Sequence, residues 1–314
     1  MPHPGSQAPA TASICALVVT YRPAPEVVEN LRALVGQVRR LIVVDNESTP
    51  ESRALLVPIA ERAGVEVHWN ATNRGLAAAL NQGVARALES DCEWIATFDQ
   101  DSTAPADFCA TLWAGLHDYA ARDCVAVVAP LYRDRHLGLV YSAGARLPAD
   151  PPRLAAVSVA AASGNLVSVA ALRAVGGFRE DFFIAGIDFE FCLRCRRAGW
   201  QILEVRDAVL EHAMGRYETR HFLGREVRFN DYSVVRRYYH ARNLTLVLGC
   251  GLVVDPIWAV RAARDFVSDF VKLLLFGCER GAKVRAVMVG LAHAALGYRG
   301  RWTPESGRLG AVSP

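Results

Sequence analysis

The stretch ICALVVTYRP, residues 14–23, decides how this chain is read. Ile14 to Thr20 carries no charge and is rich in β-branched residues, the composition of a strand covered on both faces in a parallel sheet. Tyr21-Arg22-Pro23 ends it, because proline cannot donate to a ladder. The same punctuation recurs downstream. Pro25 to Val38 places Val27, Val28, Leu31, Leu34 and Val35 at helical spacing. Leu41 to Val44 is a second apolar run, stopped by Asp45-Asn46-Glu47-Ser48. Glu51 to Ala63 is helical, Val65 to Trp69 is a third strand, and Asn73-Arg74-Gly75 opens a helix over Leu76 to Glu89. Trp94 to Phe98 is a fourth strand, closed by Asp99-Gln100-Asp101-Ser102. This alternation predicts an α/β domain with a mainly parallel sheet flanked by helices. Ligands in such sheets bind beyond the carboxyl ends of the strands. That rule directs attention to Tyr21, Asp45, Asn73 to Gly75, and Asp99 to Ser102.

Further along, Val125 to Pro130 is a strand and Leu137 to Pro152 a hairpin or loop segment. Ser163-Gly164-Asn165 precedes a short helix over Ala170 to Val175. Asp181 to Cys195 holds a second acidic cluster, and a strand over Ile202 to Leu210 delivers His212. The expected division is a disordered leader over 1–13, a catalytic domain over 14–235, and a helical, basic amphipathic region over 236–314.

Of the 314 residues, 52% are hydrophobic and 21% charged, which argues against wholesale disorder. A net charge of +3 gives no reason to expect nucleic acid as a partner. The N-terminus lacks the basic flank and apolar core of a signal peptide, so a cytoplasmic protein is expected. Its eight cysteines are then read as reduced core residues, and Cys192-x-x-Cys195 as two helix cysteines rather than a redox pair. The apolar run Leu244 to Val260 is interrupted by Asp255 and Pro256 and does not read as a membrane span. Arg261 to Arg301 interleaves eight basic and three acidic residues with apolar ones. Two readings of it carry equal weight: peripheral contact with the inner face of the cell membrane, or packing on the core or a second subunit.

Asp99 and Asp101 repel each other when bare, since like charges raise each other's pKa. A divalent cation relieves that, and Mg²⁺ or Mn²⁺ favours hard oxygen ligands completed by phosphate and water. The pair therefore predicts a metal held against a phosphate-bearing substrate. Asp188 and Glu190 lie near the start of a helical pattern, whose dipole is expected to keep them ionised. Either can take the proton of an attacking hydroxyl, with helix capping as the structural alternative. Asp45 can accept from a nucleobase N3–H or form an Asx turn. Arg74 and the backbone N–H groups around it can face a diphosphate or serve as an ordinary cap. No G-x-G-x-x-G follows the first strand, which argues against a dinucleotide dehydrogenase.

Taken together, the segments VVTYRP (18–23), LIVVDNEST (41–49), NRGLAAALNQG (73–83), TFDQDS (97–102), SGNLVS (163–168), GGFREDFFIAGIDFEFCLR (176–194), LEHAMG (210–215) and VVRRYYHARNLTL (234–246) resemble the family 2 glycosyltransferases of the GT-A fold. Several motifs in order are more specific than any one. Within that family, DQDS and YYHARN are most similar to bacterial rhamnosyltransferases that use dTDP-L-rhamnose. The resemblance implies an inverting transfer of L-rhamnose to a saccharide or lipid-linked saccharide in cell-surface polysaccharide synthesis, such as O-antigen. It implies a nucleotide-sugar site formed by Thr20, Tyr21, Asp45, Asn73, Arg74, Gly75, Asp99 and Gln100. It also implies a Mg²⁺ or Mn²⁺ site at Asp99 and Asp101, with His212 as a further ligand, and a base at Asp188 with Glu190 as its rival. Ala185 stands where the pattern usually carries an acidic residue. The alternatives are another donor, such as UDP-galactofuranose or UDP-glucose, or a non-catalytic nucleotide-sugar-binding scaffold.

Overall fold

The computed structural model describes residues 13–135, 138–142, 147–212, 217–222 and 224–302. The expected leader lies outside these apart from Ser13, as do residues 213–215 of the LEHAMG segment. Strand β1 (Ile14–Thr20) pairs in parallel with β2 (Arg40–Asn46) on one side and β4 (Trp94–Asp99) on the other, and β3 (Val65–Asn70) extends the sheet beyond β2. The continuous apolar run of β1 follows from its two covered faces. Cys15 and Leu17 pack with Ala77, Leu80 and Val84 of α3 (Leu76–Leu88). Ile14, Ala16 and Val18 pack with Val27 and Leu31 of α1 (Val27–Leu34) and Leu112 of α4 (Phe108–Asp118). Each large side chain so buried contributes about 1.5–3 kcal/mol, so a charge anywhere in the run would break the sheet at its centre.

Helix α1 is shorter than the periodicity predicts, because Val35 is already extended (ψ 123°) and Gly36 follows at φ 97°. Helix α2 (Pro50–Ala60) links β2 to β3 and is capped by Thr49, whose side chain accepts from the Ser52 N–H. Register sets Thr20 opposite Asp45, Asp45 opposite Trp69, and Val19 opposite Asp99, so the carboxyl ends of all four strands open on one edge.

Beyond β4 the sheet changes character. β8 (Asn165–Ser168) inserts antiparallel between β4 and β5 (Val125–Asp134), and β5 pairs in parallel with β9 (Gln201–His212). β7 (Leu154–Val157) closes the far edge, and β6 (Val140–Tyr141) pairs with β5. Because β8 runs backwards, its beginning meets the end of β4 (Thr97 opposite Asn165), which brings Ser163 to Asp99. Helices α5 (Val169–Val175) and α6 (Ile187–Arg197) follow, then a hairpin of β10 (Tyr217–Phe222) and β11 (Arg225–Asn230). The chain ends in α7 (Val234–Val254), α8 (Pro256–Phe276) and α9 (Arg280–Ala295). The border expected at residue 235 falls inside α7, which packs against α6 and continues the core of the sheet domain.

The cysteine reading needs one correction. Cys15 and Cys92 form a disulfide, with Cα atoms 6.0 Å apart. They are far apart in sequence, but the β1–β4 pairing sets Ile14 opposite Trp94 and draws the two together. Cys192 and Cys195 are free and buried on α6, as two helix cysteines should be.

Candidate active site

Asp99, Asp101 and His212 converge beyond the carboxyl end of the sheet, with one potential ligand atom from each lying within 4.8 Å of the others. One backbone bridge and a serine relay bring them together. Asp99 is the last residue of β4, and Thr103 N–H donates to the Glu211 carbonyl at 3.0 Å, tying the Asp-Gln-Asp loop to the end of β9. A serine relay then orients the imidazole. Asp99 N–H donates to Ser163 Oγ at 3.0 Å, the Ser163 and Ser102 hydroxyls are 2.7 Å apart, and Ser102 Oγ lies 2.9 Å from His212 Nδ1. Gly164 makes the turn at φ +79°, where a Cβ would stand 2.7 Å from Leu210. Such a hydrogen-bonded support fixes a ligating imidazole.

Burial raises the pKa of Asp99; His212 opposes the rise and Asp101 adds to it. A divalent cation would remove this strain, and two carboxylates with an imidazole suit Mn²⁺ or Mg²⁺. The residues present therefore fit the metal that the motif predicts.

Asp188 sits in the first turn of α6 above a small cavity whose walls include Leu80, Val127, Phe178 and Phe191. These apolar walls desolvate its carboxyl and push its pKa up to about 6, with the charge of Asp99 adding to the rise and backbone N–H groups opposing it. Desolvation outweighs the backbone N–H groups of the helix start in setting this pKa, yet a carboxyl at about 6 is still mostly ionised at pH 7. Glu190 behaves differently. Its carboxylate accepts from Arg194 Nε at 3.0 Å and Nη2 at 2.9 Å, and Arg194 also donates to the carbonyls of Val175 and Gly177. That ion pair ties α6 to the end of α5.

The loop before Asp188 is strained and held from behind. Phe183 (φ 64°, ψ −60°) is the centre of a γ-turn closed by Ile184 N–H to the Phe182 carbonyl at 2.8 Å, and Ala185 also has positive φ. Such positions cost about 1–3 kcal/mol each and persist only where the surroundings impose them. Arg242 and Asn243, fully buried on α7, impose them. Arg242 donates to the carbonyls of Asp181 (2.9 Å), Phe182 (3.1 Å) and Gly300 (2.6 Å) and lies over the rings of Tyr238 and Tyr239. The Asn243 amide lies 2.8–3.0 Å from the carbonyls of Phe182, Ile184 and Ala185. Phe183 in turn accepts from Leu76 N–H at 2.6 Å. The Ala185 carbonyl is thus part of this frame, whatever its missing acid does.

The expected donor-site residues divide. Gln100 clamps Tyr21: it accepts from Tyr21 N–H at 2.8 Å and donates to the Tyr21 carbonyl at 3.3 Å, leaving the ring 40% exposed. Thr20 and Asp45 are fully enclosed. Asp45 accepts from Thr20 Oγ1 (3.2 Å), Ser48 N–H (3.2 Å) and Arg53 Nε (3.0 Å), so it builds the turn and lines no open space. Arg53 lies over Trp69, an exposed ring that the sequence reading missed. The N–H groups of Arg74, Gly75 and Leu76 go to Asn46 Oδ1, Asn73 Oδ1 and the Phe183 carbonyl. They are ordinary caps, and only the exposed Arg74 side chain stays available to a phosphate. Tyr132 was also missed. It is fully buried, its hydroxyl donates to the Ser163 carbonyl at 3.0 Å, and burial together with the charges of Asp188 and Asp99 keeps it protonated.

This sheet, with its acidic loop at the end of β4, has the GT-A fold. It is similar to the mannosyltransferase PcManGT from Pyrobaculum calidifontis, solved with GDP-Man and Mn²⁺, with TM-score 0.53 and 16% identity over 94% of this chain and 90% of that one. Residues 15–149 match the family model Glycosyl transferase family 2. The dTDP-rhamnosyl transferase RfbF of Shigella flexneri is 29% identical over 252 residues, 76% of this chain and 80% of that protein. The galactofuranosyltransferase GlfT1 of Mycobacterium tuberculosis is 27% identical over 226 residues, 68% of this chain and 74% of that one. The chain is a glycosyltransferase, and residues 15–149 carry its match to family 2.

Proposed function

We propose that this enzyme moves L-rhamnose from dTDP-L-rhamnose to a hydroxyl of a saccharide or lipid-linked saccharide, with inversion at the anomeric carbon, in the assembly of a cell-surface polysaccharide. The observation that carries the reading is the presence of two unlike acidic sites in one cleft. Asp99, Asp101 and His212 are a polar, converging ligand set, whereas Asp188 is a single desolvated carboxyl with a pKa raised to about 6. A Mg²⁺ or Mn²⁺ held by the first set would supply positive charge to a leaving diphosphate. Asp188 acts as the base: it accepts the acceptor hydroxyl's proton as the new C–O bond forms on the face opposite the breaking one. A base whose pKa lies near the working pH is suited to that transfer. Tyr21 and Trp69 are exposed aromatic rings at the ends of β1 and β3, placed to meet a nucleobase, and Arg74 is placed to meet phosphate.

The donor follows from likeness to the rhamnosyl relative; likeness to the galactofuranosyl relative supports UDP-galactofuranose as the second reading. The test is thermal shift and nucleotide release with dTDP-L-rhamnose, UDP-galactofuranose and UDP-glucose, each with Mn²⁺, Mg²⁺ or chelator. A donor at 100 times its Kd stabilises the fold by about 2.7 kcal/mol. The largest metal-dependent shift and turnover are expected with dTDP-L-rhamnose. A larger response to UDP-galactofuranose would move the assignment to that donor.

A further inference from the structure

Helix α8 leaves one side uncovered. Its inner side packs on α7 through Trp258, Ala259 and Leu273, all buried. Its outer side carries Ile257, Val260, Val267, Val271 and Leu275, which are 45–66% exposed. The spacing of three, seven, four and four residues, with Arg264 filling the gap of seven, makes one stripe along the helix. A helix of this length runs about 30 Å. Isolated exposed apolar residues are ordinary, but an aligned row of this length marks an interaction surface.

The charges beside the stripe select the partner. On a helical projection Arg264 lies within it, and Arg261 and Lys272 lie along one border. Asp265 is the acid on that border, and Arg264 pairs with it at 2.8 Å. The other acid of the helix, Asp269, is drawn inward to the buried Arg237. The uncovered side is therefore apolar and basic. Symmetric pairing with a second copy fits poorly. Arg264 lies near the middle of the stripe from Ile257 to Leu275, so a two-fold contact centred on the stripe would bring Arg264 close to its own copy. An anionic lipid surface accepts both features: the apolar row enters the headgroup boundary while the long basic side chains reach lipid phosphates. Among the described residues no helix is long and apolar enough to cross a membrane, so the contact lies along the surface.

We propose that the outer face of α8 docks the enzyme on an anionic membrane, with Val260 and Val267 entering the lipid and Arg261, Arg264 and Lys272 meeting its headgroups. This deepens the functional reading above, since it favours the lipid-linked acceptor over a free saccharide. The two can fail separately, because docking is measured without donor or acceptor. The full chain is sedimented with vesicles of phosphatidylcholine alone and with vesicles containing 30% phosphatidylglycerol. Binding is expected to the second and not the first, and to weaken with salt. Arg261→Glu/Arg264→Glu should lower vesicle affinity at least tenfold, since each basic residue near an anionic surface contributes about 1 kcal/mol and charge reversal more. Val260→Glu/Val267→Glu should abolish sedimentation. Melting temperature and donor-induced thermal shift report whether each variant folds, and both should stay near those of the parent. Absence of binding to anionic vesicles would overturn the proposal. So would a dimer in sedimentation velocity that Val260→Glu/Val267→Glu converts to monomer, which would assign the face to a second copy.

Discussion

The two acidic sites of this glycosyltransferase are built in opposite ways. Asp99 and Asp101 project from a short loop at the end of a central strand, and their partner His212 arrives through a single backbone bridge and two serine hydroxyls. Almost everything that orients them lies at the carboxyl end of the sheet; Asp99 is itself desolvated by burial, but its neighbours are serine hydroxyls, an imidazole and a second carboxylate. Asp188 rests on apolar walls, and the loop that presents it is pinned from behind by Arg242 and Asn243 on α7. The first site is arranged to gather charge around an ion. The second keeps one carboxyl dry enough to change protonation near neutral pH. Proximity to a metal is a demand on ligand type, whereas the pKa of a base is a demand on packing, and the chain meets the two demands with different parts of its length.

The sharpest way to break this contrast is to remove a ligand. Asp101→Ala should lower transfer on the order of 10³-fold or more, because a Lewis-acid cation supplies several kcal/mol to the transition state. It should also remove the Mn²⁺-dependent thermal shift. Asp101 is half exposed, so the fold itself should hold. A variant that keeps both metal response and rate would detach the first site from the chemistry.

Asp188→Asn should lower transfer about 10²–10⁴-fold while leaving donor and metal binding intact. Its effect on stability should be opposite in sign. The folded pKa of about 6 lies above the ordinary 3.8, so the carboxyl destabilises the fold as pH rises through that window, and the full penalty is present at pH 7. Asparagine removes it, and the inactive variant should be more stable at pH 7 by on the order of 2 kcal/mol, with the gain vanishing below about pH 4. In the parent enzyme, transfer should fall as pH drops through about 6. A stability difference between variant and parent that is the same at pH 4 and pH 7 would show that the carboxyl is not desolvated.

Arg242→Lys tests the frame behind the second site. Lysine keeps the charge but cannot reach the carbonyls of Asp181, Phe182 and Gly300 with one planar fork. Loss of these buried charged hydrogen bonds should cost about 2–4 kcal/mol in stability. Loosening of the Phe183–Ala185 backbone should lower kcat about tenfold through misplacement of Asp188. KM for the donor and the affinity for Mn²⁺ should change little, a split that general unfolding would not produce.

The same contrast explains what the sequence could show. The strand-and-helix order was legible because β1 is apolar on both faces and each strand ends in polar residues. The acidic loop was legible because its two carboxylates lie one residue apart and the strand-end rule locates them. The fate of Asp45 was not, since Thr20, Ser48 and Arg53 close around it only once β1, β2 and α2 are packed. The Cys15–Cys92 bridge depends on the pairing of strands with three helices and two further strands between them. Desolvation of Asp188 depends in part on Val127, which lies in none of the matched segments. Residues of the YYHARN segment could be matched to a family, but their work on the loop of 181–185 appears only in the packing of α7.

Glu190→Gln should have the smallest effect and is the most direct discriminator between the two carboxylates of α6. The two are alike in the sequence, both within the first turn of one helix, and differ by what surrounds them. Glu190 accepts two hydrogen bonds from the Arg194 guanidinium, whose remaining donors hold the carbonyls at the end of α5. Glutamine keeps one acceptor for Arg194 and loses the charge, so the partly buried ion pair weakens without a steric change. A stability loss of about 1 kcal/mol is expected, between the value of an exposed pair and that of a fully buried one. Transfer should fall by less than about threefold, the part of that loosening that reaches Asp188 through the helix they share. If transfer instead collapses while Asp188→Asn stays active, the hydroxyl proton goes to Glu190, Arg194 must swing away when the acceptor binds, and the dry carboxyl above the cavity belongs to the fold alone.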